Sequence, residues 1–150
     1  MRPLPQVRPR QVLLTTIPSD AHMWNLVFLQ LLLEEKGCNV VNLGQCTPID
    51  LVRDTALAMR PDLIVVSTVN GHGHLDSVRL VTELRRHPEL ADVTVVIGGK
   101  LGISGADNVR YAGQLIDAGF DAVFEADTDA AATDRLVELV APRPVLGTRK

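Results

Sequence analysis

Leu63-Ile64-Val65-Val66-Ser67-Thr68-Val69-Asn70-Gly71-His72-Gly73-His74 is the stretch whose reading decides the architecture. Four aliphatic residues in succession, with no polar alternation, need apolar cover on both faces of the strand they form. That is the habit of a parallel sheet sandwiched between helices. The glycines that follow end the strand and turn the chain. A second run, Val93-Thr94-Val95-Val96-Ile97, ends the same way in Gly98-Gly99. Working outward, further strands are expected at 11–16, 39–43 and 122–124, besides 63–67 and 93–97, with helical patterns between them. Strand-helix alternation predicts a three-layer α/β domain with right-handed crossovers. The expected form is flavodoxin-like (Rossmann-like), a five-stranded parallel sheet in the order 2-1-3-4-5. In that order ligands bind beyond the carboxyl ends of the first and third strands.

The helices carry their own punctuation. The first is expected over 23–36, with Gly37 placed to end it in a left-handed turn. Its run around Leu26 to Leu33, interrupted by Gln30, fits a buried helix. The second opens at Thr47-Pro48-Ile49-Asp50, where Thr47 suits the cap, Pro48 the first helical position and Asp50 the positive end of the dipole. The third, over 75–86, aligns Val78, Val81 and Leu84 and stops before Pro88. The fourth, over 108–118, aligns Val109, Ala112 and Leu115 or Ile116, with Gly119 after it. A fifth follows Thr128 and carries Ala132, Leu136, Leu139 and Val140. One domain over 11–141 accounts for the pattern, between flexible tails at 1–10 and 142–150.

Composition narrows the function classes. Hydrophobic residues make up 46% and charged residues 22% of the 150 residues, which suits one core and an ordinary surface. A net charge of −3 argues against nucleic acid as a partner. No apolar run reaches the roughly 18 residues of a membrane span. Cys38 and Cys46 suggest neither a disulfide framework nor a zinc site, and the chain reads as cytoplasmic, with both thiols reduced.

Chemistry is expected in the loops after the first, third and fourth strands. The first loop holds Ser19-Asp20-Ala21-His22-Met23-Trp24-Asn25. A neutral imidazole binds a metal through one nitrogen and needs an acceptor for its other N–H, and Asp20 stands two residues from His22. Taken alone, the pair reads more simply as a helix cap and a surface histidine. The third-strand loop offers the Ser67 hydroxyl at the mouth of the cleft. His72 and His74 lack a third ligand close by, so an exposed glycine-rich turn is the simpler account of them. Gly98-Gly99-Lys100-Leu101-Gly102 lets backbone lie against something bulky. It matches neither glycine-rich phosphate signature.

Together these segments resemble the cobalamin-binding domains of adenosylcobalamin-dependent mutases and of methionine synthase. The fingerprint of that family is D-x-H-x-x-G after the first strand, S-x-L after the third and G-G after the fourth. The counterparts are Asp20-Ala21-His22-Met23-Trp24-Asn25, Ser67-Thr68-Val69 and Gly98-Gly99. Within the family the likeness is to the small subunits of glutamate mutase (methylaspartate mutase). It is carried further by Val40-Val41-Asn42-Leu43-Gly44, by the stretch from Ser67 to Gly73, and by Leu115-Ile116-Asp117-Ala118-Gly119-Phe120-Asp121. Asn25 replaces the family glycine, and asparagine tolerates a left-handed backbone better than most residues. Val69 replaces leucine, and Ala126-Asp127-Thr128 stands where the family has Pro-Gly-Thr.

The resemblance implies adenosylcobalamin as cofactor, with cobalt held by His22 and Asp20 orienting that imidazole. It implies Ser67 on the nucleotide tail, and a lining for tail and corrin from Ser19, Ala21, Met23, Asn25, Thr68, Val69, Gly71, Gly98, Gly99, Lys100, Leu101, Gly102 and Thr128. It implies an isomerase component that interconverts glutamate and 3-methylaspartate by a radical route. The substrate would lie in a separate barrel subunit, within a heterotetramer of two chains of each kind. An alternative is a corrinoid carrier or sensor without mutase activity. Such carriers usually place a helical cap ahead of the domain, and about ten residues precede the first strand here. A receiver-like domain needs an Asp to end its third strand, where this chain has Ser67.

Overall fold

A computed structural model describes residues 7–18, 24–68, 73–99, 105–125 and 143–144. Its sheet strands are β1 (Gln11–Thr15), β2 (Asn39–Asn42), β3 (Leu63–Thr68), β4 (Thr94–Gly99) and β5 (Ala122–Glu125). They form one five-stranded sheet in the order β2-β1-β3-β4-β5, parallel at every pairing. This is the expected flavodoxin-like order. Between the strands run α1 (Trp24–Glu35), α2 (Ile49–Met59), α3 (Gly73–Arg85) and α4 (Gly105–Ala118). The fifth helix expected after Thr128 lies outside the described residues. Val7–Arg8 pairs antiparallel with Arg143–Pro144, so the described residues in the stretches read as tails meet each other.

Alternation along the strands sorts the core into two layers. Leu13, Ile64, Val66, Val95 and Ile97 pack with Val52, Leu80, Leu84 and Leu115 of α2, α3 and α4. Val12, Leu14, Leu63, Val65 and Val96 pack on the other face with Leu26 and Leu33 of α1. Burial of both faces is why β3 and β4 read as unbroken apolar runs.

Helix ends follow from local chemistry, with corrections to the expected details. Gly37, at φ 91°, closes α1: its N–H donates to the Glu34 carbonyl at 3.0 Å and that of Cys38 to Leu33 at 3.1 Å, the two bonds of a Schellman motif. The start of α2 differs from expectation. Pro48 occupies the cap position without a side-chain cap, and the Thr47 hydroxyl donates to the Gly44 carbonyl at 2.7 Å instead. Helix α1 is not buried all round, because Phe28 and Leu31 are 61% and 63% exposed. The inward stripe of α3 is Ser77, Leu80, Val81 and Leu84, with Val78 only partly buried. In α4 it is Leu115 that turns inward and Ile116 that stays exposed. Cys38 is buried and Cys46 exposed, and neither is in a disulfide. Burial pushes the Cys38 thiol up, with Arg10 opposing.

Charged groups tie the helices together. Arg53 of α2 meets Glu83 of α3 at 3.1 Å, and hydrogen bonding from Arg53 holds the Glu83 carboxyl below its usual range. At the amino edge of the sheet, Arg85 donates to the carbonyls of Gly119 at 3.0 Å, Leu90 at 3.0 Å and Val93 at 2.9 Å. It also meets the Asp121 carboxylate at 2.9 Å, and the same carboxylate oxygen accepts from the Val95 N–H at 2.8 Å. The end of α3, the entry to β4 and the turn after α4 thus share one guanidinium.

Gly119 fits against the stem of Arg85 because it has no side chain. Its φ is +137°, and a Cβ would lie 2.9 Å from Arg85 Cγ and 3.3 Å from Val81 Cγ2. Gly119→Ala is therefore expected to lower unfolding free energy by at least about 2 kcal/mol. Gly44→Ala, also at positive φ but with nothing within 4 Å, should cost about 1 kcal/mol. Urea denaturation of the two variants measures the difference. Equal losses would show that Arg85 moves aside freely.

Candidate functional site

The carboxyl edge of the sheet is where apolar strand gives way to polar and small residues. On β3, Leu63 and Val65 face α1 while Ile64 and Val66 face the other helices. Continuing the alternation, Ser67 faces the α1 side. It is 7% exposed, so the residue is buried without being sealed. Ser67 pairs in register with Gly98, and Thr68 with Gly99. On β4, Val96 faces α1, so Gly98 falls on the same face as Ser67 and places no side chain there. Gly98 in turn pairs with Phe124 of β5. The result is a polar hydroxyl beside a bare strip of backbone, at the end of the sheet where ligands collect in open α/β folds.

The other expected site residues divide plainly. Ser19, Asp20, Ala21, His22 and Met23 lie outside the described residues, as do Val69, Gly71, His72, Lys100, Leu101, Gly102 and Thr128. Apart from Thr128, which follows β5, they fall between β1 and α1, between β3 and α3, and between β4 and α4 in the chain. Residue 25 lies in the first turn of α1, and among the described residues the positive-φ residues other than glycine are Cys46 and Arg60. The left-handed tolerance of asparagine is therefore not what position 25 uses. Among the described residues no cluster of three His, Cys, Asp or Glu side chains could hold a metal. None of the described helices is long and apolar enough to cross a membrane.

Two features at this edge escape a reading of motifs. One is Thr16, fully buried just after β1, with a hydroxyl that has no hydrogen-bond partner among the described residues. Two adjacent threonines at the end of a strand give no periodic or motif signal. The other is a groove of about 360 Å³ between Leu26, Val27 and Gln30 of α1 and residues 42–45 after β2. Asn42 holds its wall by donating to Gln30 at 3.0 Å and accepting from the Gly44 N–H at 2.9 Å.

A buried unpaired hydroxyl and a strip without side chains suit a bulky, partly polar group entering beside the sheet. The B12 binding domain family matches residues 10–133. Glutamate mutase sigma subunit 1 of Haloarcula marismortui is 34% identical over 121 residues, covering 81% of this chain and 79% of its own. A cobalamin-binding protein of Desulfitobacterium hafniense superposes at a TM-score of 0.66 with 20% identity, over 88% of this chain and 58% of that one. The chain therefore spans little more than half the length of that structure. Chemotaxis response regulator CheY4 of Vibrio cholerae superposes nearly as well, at 0.65 with 10% identity over 89% of this chain and 99% of its own. At such identities the superpositions show the fold alone, and family rests on the sequence matches. By those matches the chain belongs to the B12-binding domain family and, within it, to the glutamate mutase sigma subunits.

Proposed function

We propose that this chain is the cofactor-carrying subunit of an adenosylcobalamin-dependent, cytoplasmic glutamate mutase, interconverting glutamate and 3-methylaspartate with a separate barrel subunit in a heterotetramer. The observation that carries the reading is the Ser67–Gly98 pair on one face of the carboxyl edge, in a chain of the B12-binding family. Ser67 offers its hydroxyl to the nucleotide tail, and Gly98 and Gly99 leave room beside it. Asp20 and His22, two residues apart, supply an acceptor and an imidazole for cobalt, the carboxylate fixing the tautomer. Adenosylcobalamin supplies radical chemistry through its cobalt–carbon bond, while the protein supplies ligation, orientation and shielding.

The division of labour follows from what the three loops contain. Residues 17–25, 67–74 and 98–102 include Lys100 but no arginine, so no bidentate clamp for an amino dicarboxylate is present there. Radical chemistry also needs a surface that closes over the reacting face and keeps water out. Both are assigned to the partner, which docks on the loops after β1, β3 and β4.

Mixing the purified chain with hydroxocobalamin should give the spectrum of bound cofactor with its own base displaced. His22→Ala should lose the histidine-ligated form, and identical spectra for the two proteins would remove His22 as the ligand. Asn25→Gly restores the family residue in the first turn of α1, and its cobalamin affinity should equal or exceed that of the natural chain. A clear loss would mean that Asn25 makes a contact of its own. With adenosylcobalamin and glutamate, 3-methylaspartate should form only when a barrel subunit is added. Turnover by the isolated chain would overturn the two-subunit reading.

A further inference from the structure

Thr15 ends β1 and Thr16 follows it, both fully buried, yet their hydroxyls fare differently. That of Thr15 donates to the Thr16 carbonyl at 3.0 Å. That of Thr16 has no partner among the described residues. Leaving a hydroxyl desolvated and unpaired costs free energy that no contact here offsets. Valine, with the same shape, would avoid the cost. The hydroxyl's position shows what it serves.

Leu13 and Ile17 belong to the core layer under α2 and α3, and Val12 and Leu14 to the layer under α1. By alternation Thr16 falls on the α1 side. The register of β1 on β3 runs from Val12 with Leu63 to Thr15 with Val66, and continued one step past the end of β1 it brings Thr16 level with Ser67. Ser67 is paired in turn with Gly98. Thr16, Ser67 and Gly98 thus fall in a single row on one face, two hydroxyls followed by a gap.

We infer that the Thr16 hydroxyl is a second hydrogen-bonding contact for the nucleotide tail of cobalamin, beside Ser67. The inference rests on the cobalamin reading above and adds a residue to it. A hydroxyl both donates and accepts, so Thr16 suits a ring nitrogen or a polar hydrogen on the buried end of the tail. Ser77 provides the contrast. Its hydroxyl is also buried and unpaired among the described residues. It shares the inward stripe of α3 with Leu80, Val81 and Leu84, which pack on the opposite face of the sheet.

The test compares Thr16→Val, Thr16→Ser and Ser77→Ala with the natural chain, by thermal unfolding without ligand and by spectral titration. The titrants are hydroxocobalamin and cobinamide, which lacks the nucleotide tail. Thr16→Val should melt higher than the natural chain yet bind hydroxocobalamin about five- to tenfold more weakly, the equivalent of one net hydrogen bond. Its cobinamide affinity should be unchanged, and Thr16→Ser should keep full affinity for both. Ser77→Ala should melt higher and bind both ligands normally. Undiminished hydroxocobalamin binding by Thr16→Val would overturn the inference and leave the cobalamin reading intact, as would an equal loss for cobinamide. Failure of the natural chain to bind hydroxocobalamin would instead defeat the reading itself, and the inference with it.

Discussion

A strand paired in parallel on both sides has its backbone hydrogen bonds satisfied by its neighbours, and its side chains alternate strictly between two layers. In this chain that constraint governs β1, β3 and β4, the three central strands. Their apolar side chains fill both layers for as long as helices cover both faces. At the carboxyl edge the same alternation continues through residues of another kind, Thr16, Ser67 and Gly98. One register therefore sets both the core and the row of small and polar groups at the carboxyl edge. A slip of one residue would exchange the layers and turn Ser67 toward α2 and α3.

The two edges of the sheet divide their tasks. At the amino edge Arg85 draws together α3, the entry to β4 and the turn after α4 through three carbonyls and the Asp121 carboxylate. Every polar atom named there has a partner, and Gly119 leaves room for the stem of Arg85. At the carboxyl edge a buried hydroxyl has no partner among the described residues. Incomplete satisfaction of this kind is expected where a scaffold is shaped for something other than itself. The family match, to the B12 binding domain, is what leads us to propose cobalamin as the group for that edge.

Much of this was legible in the residues. The aliphatic runs at 63–66 and 93–97 announced strands covered on both faces, and Gly37 and Gly119 announced the ends of α1 and α4. Asp20, His22, Ser67 and Gly98-Gly99 carried the family likeness. Other details depended on neighbours that sequence spacing does not name. Thr47 looked like a cap, but the Gly44 carbonyl lies within reach of its hydroxyl. Leu115 and Ile116 are equivalent by periodicity, and only the packing of α4 chose between them. The apolar surroundings of Phe28 and Leu31 in α1 suggested burial, whereas the helix covers the sheet with one face.

By itself, then, the sequence determined the order of strands and helices and the residue types brought to the binding edge. These follow from hydrophobic period and from backbone preferences, which act over a few residues. Only the tertiary structure decided that Thr16 follows β1 on the face that Ser67 and Gly98 share, and that its hydroxyl is buried without a partner among the described residues. Those facts arise from register between strands separated by a helix crossover. Hydrogen bonding between strands sets that register across some fifty residues of chain, a distance over which local pattern carries no information.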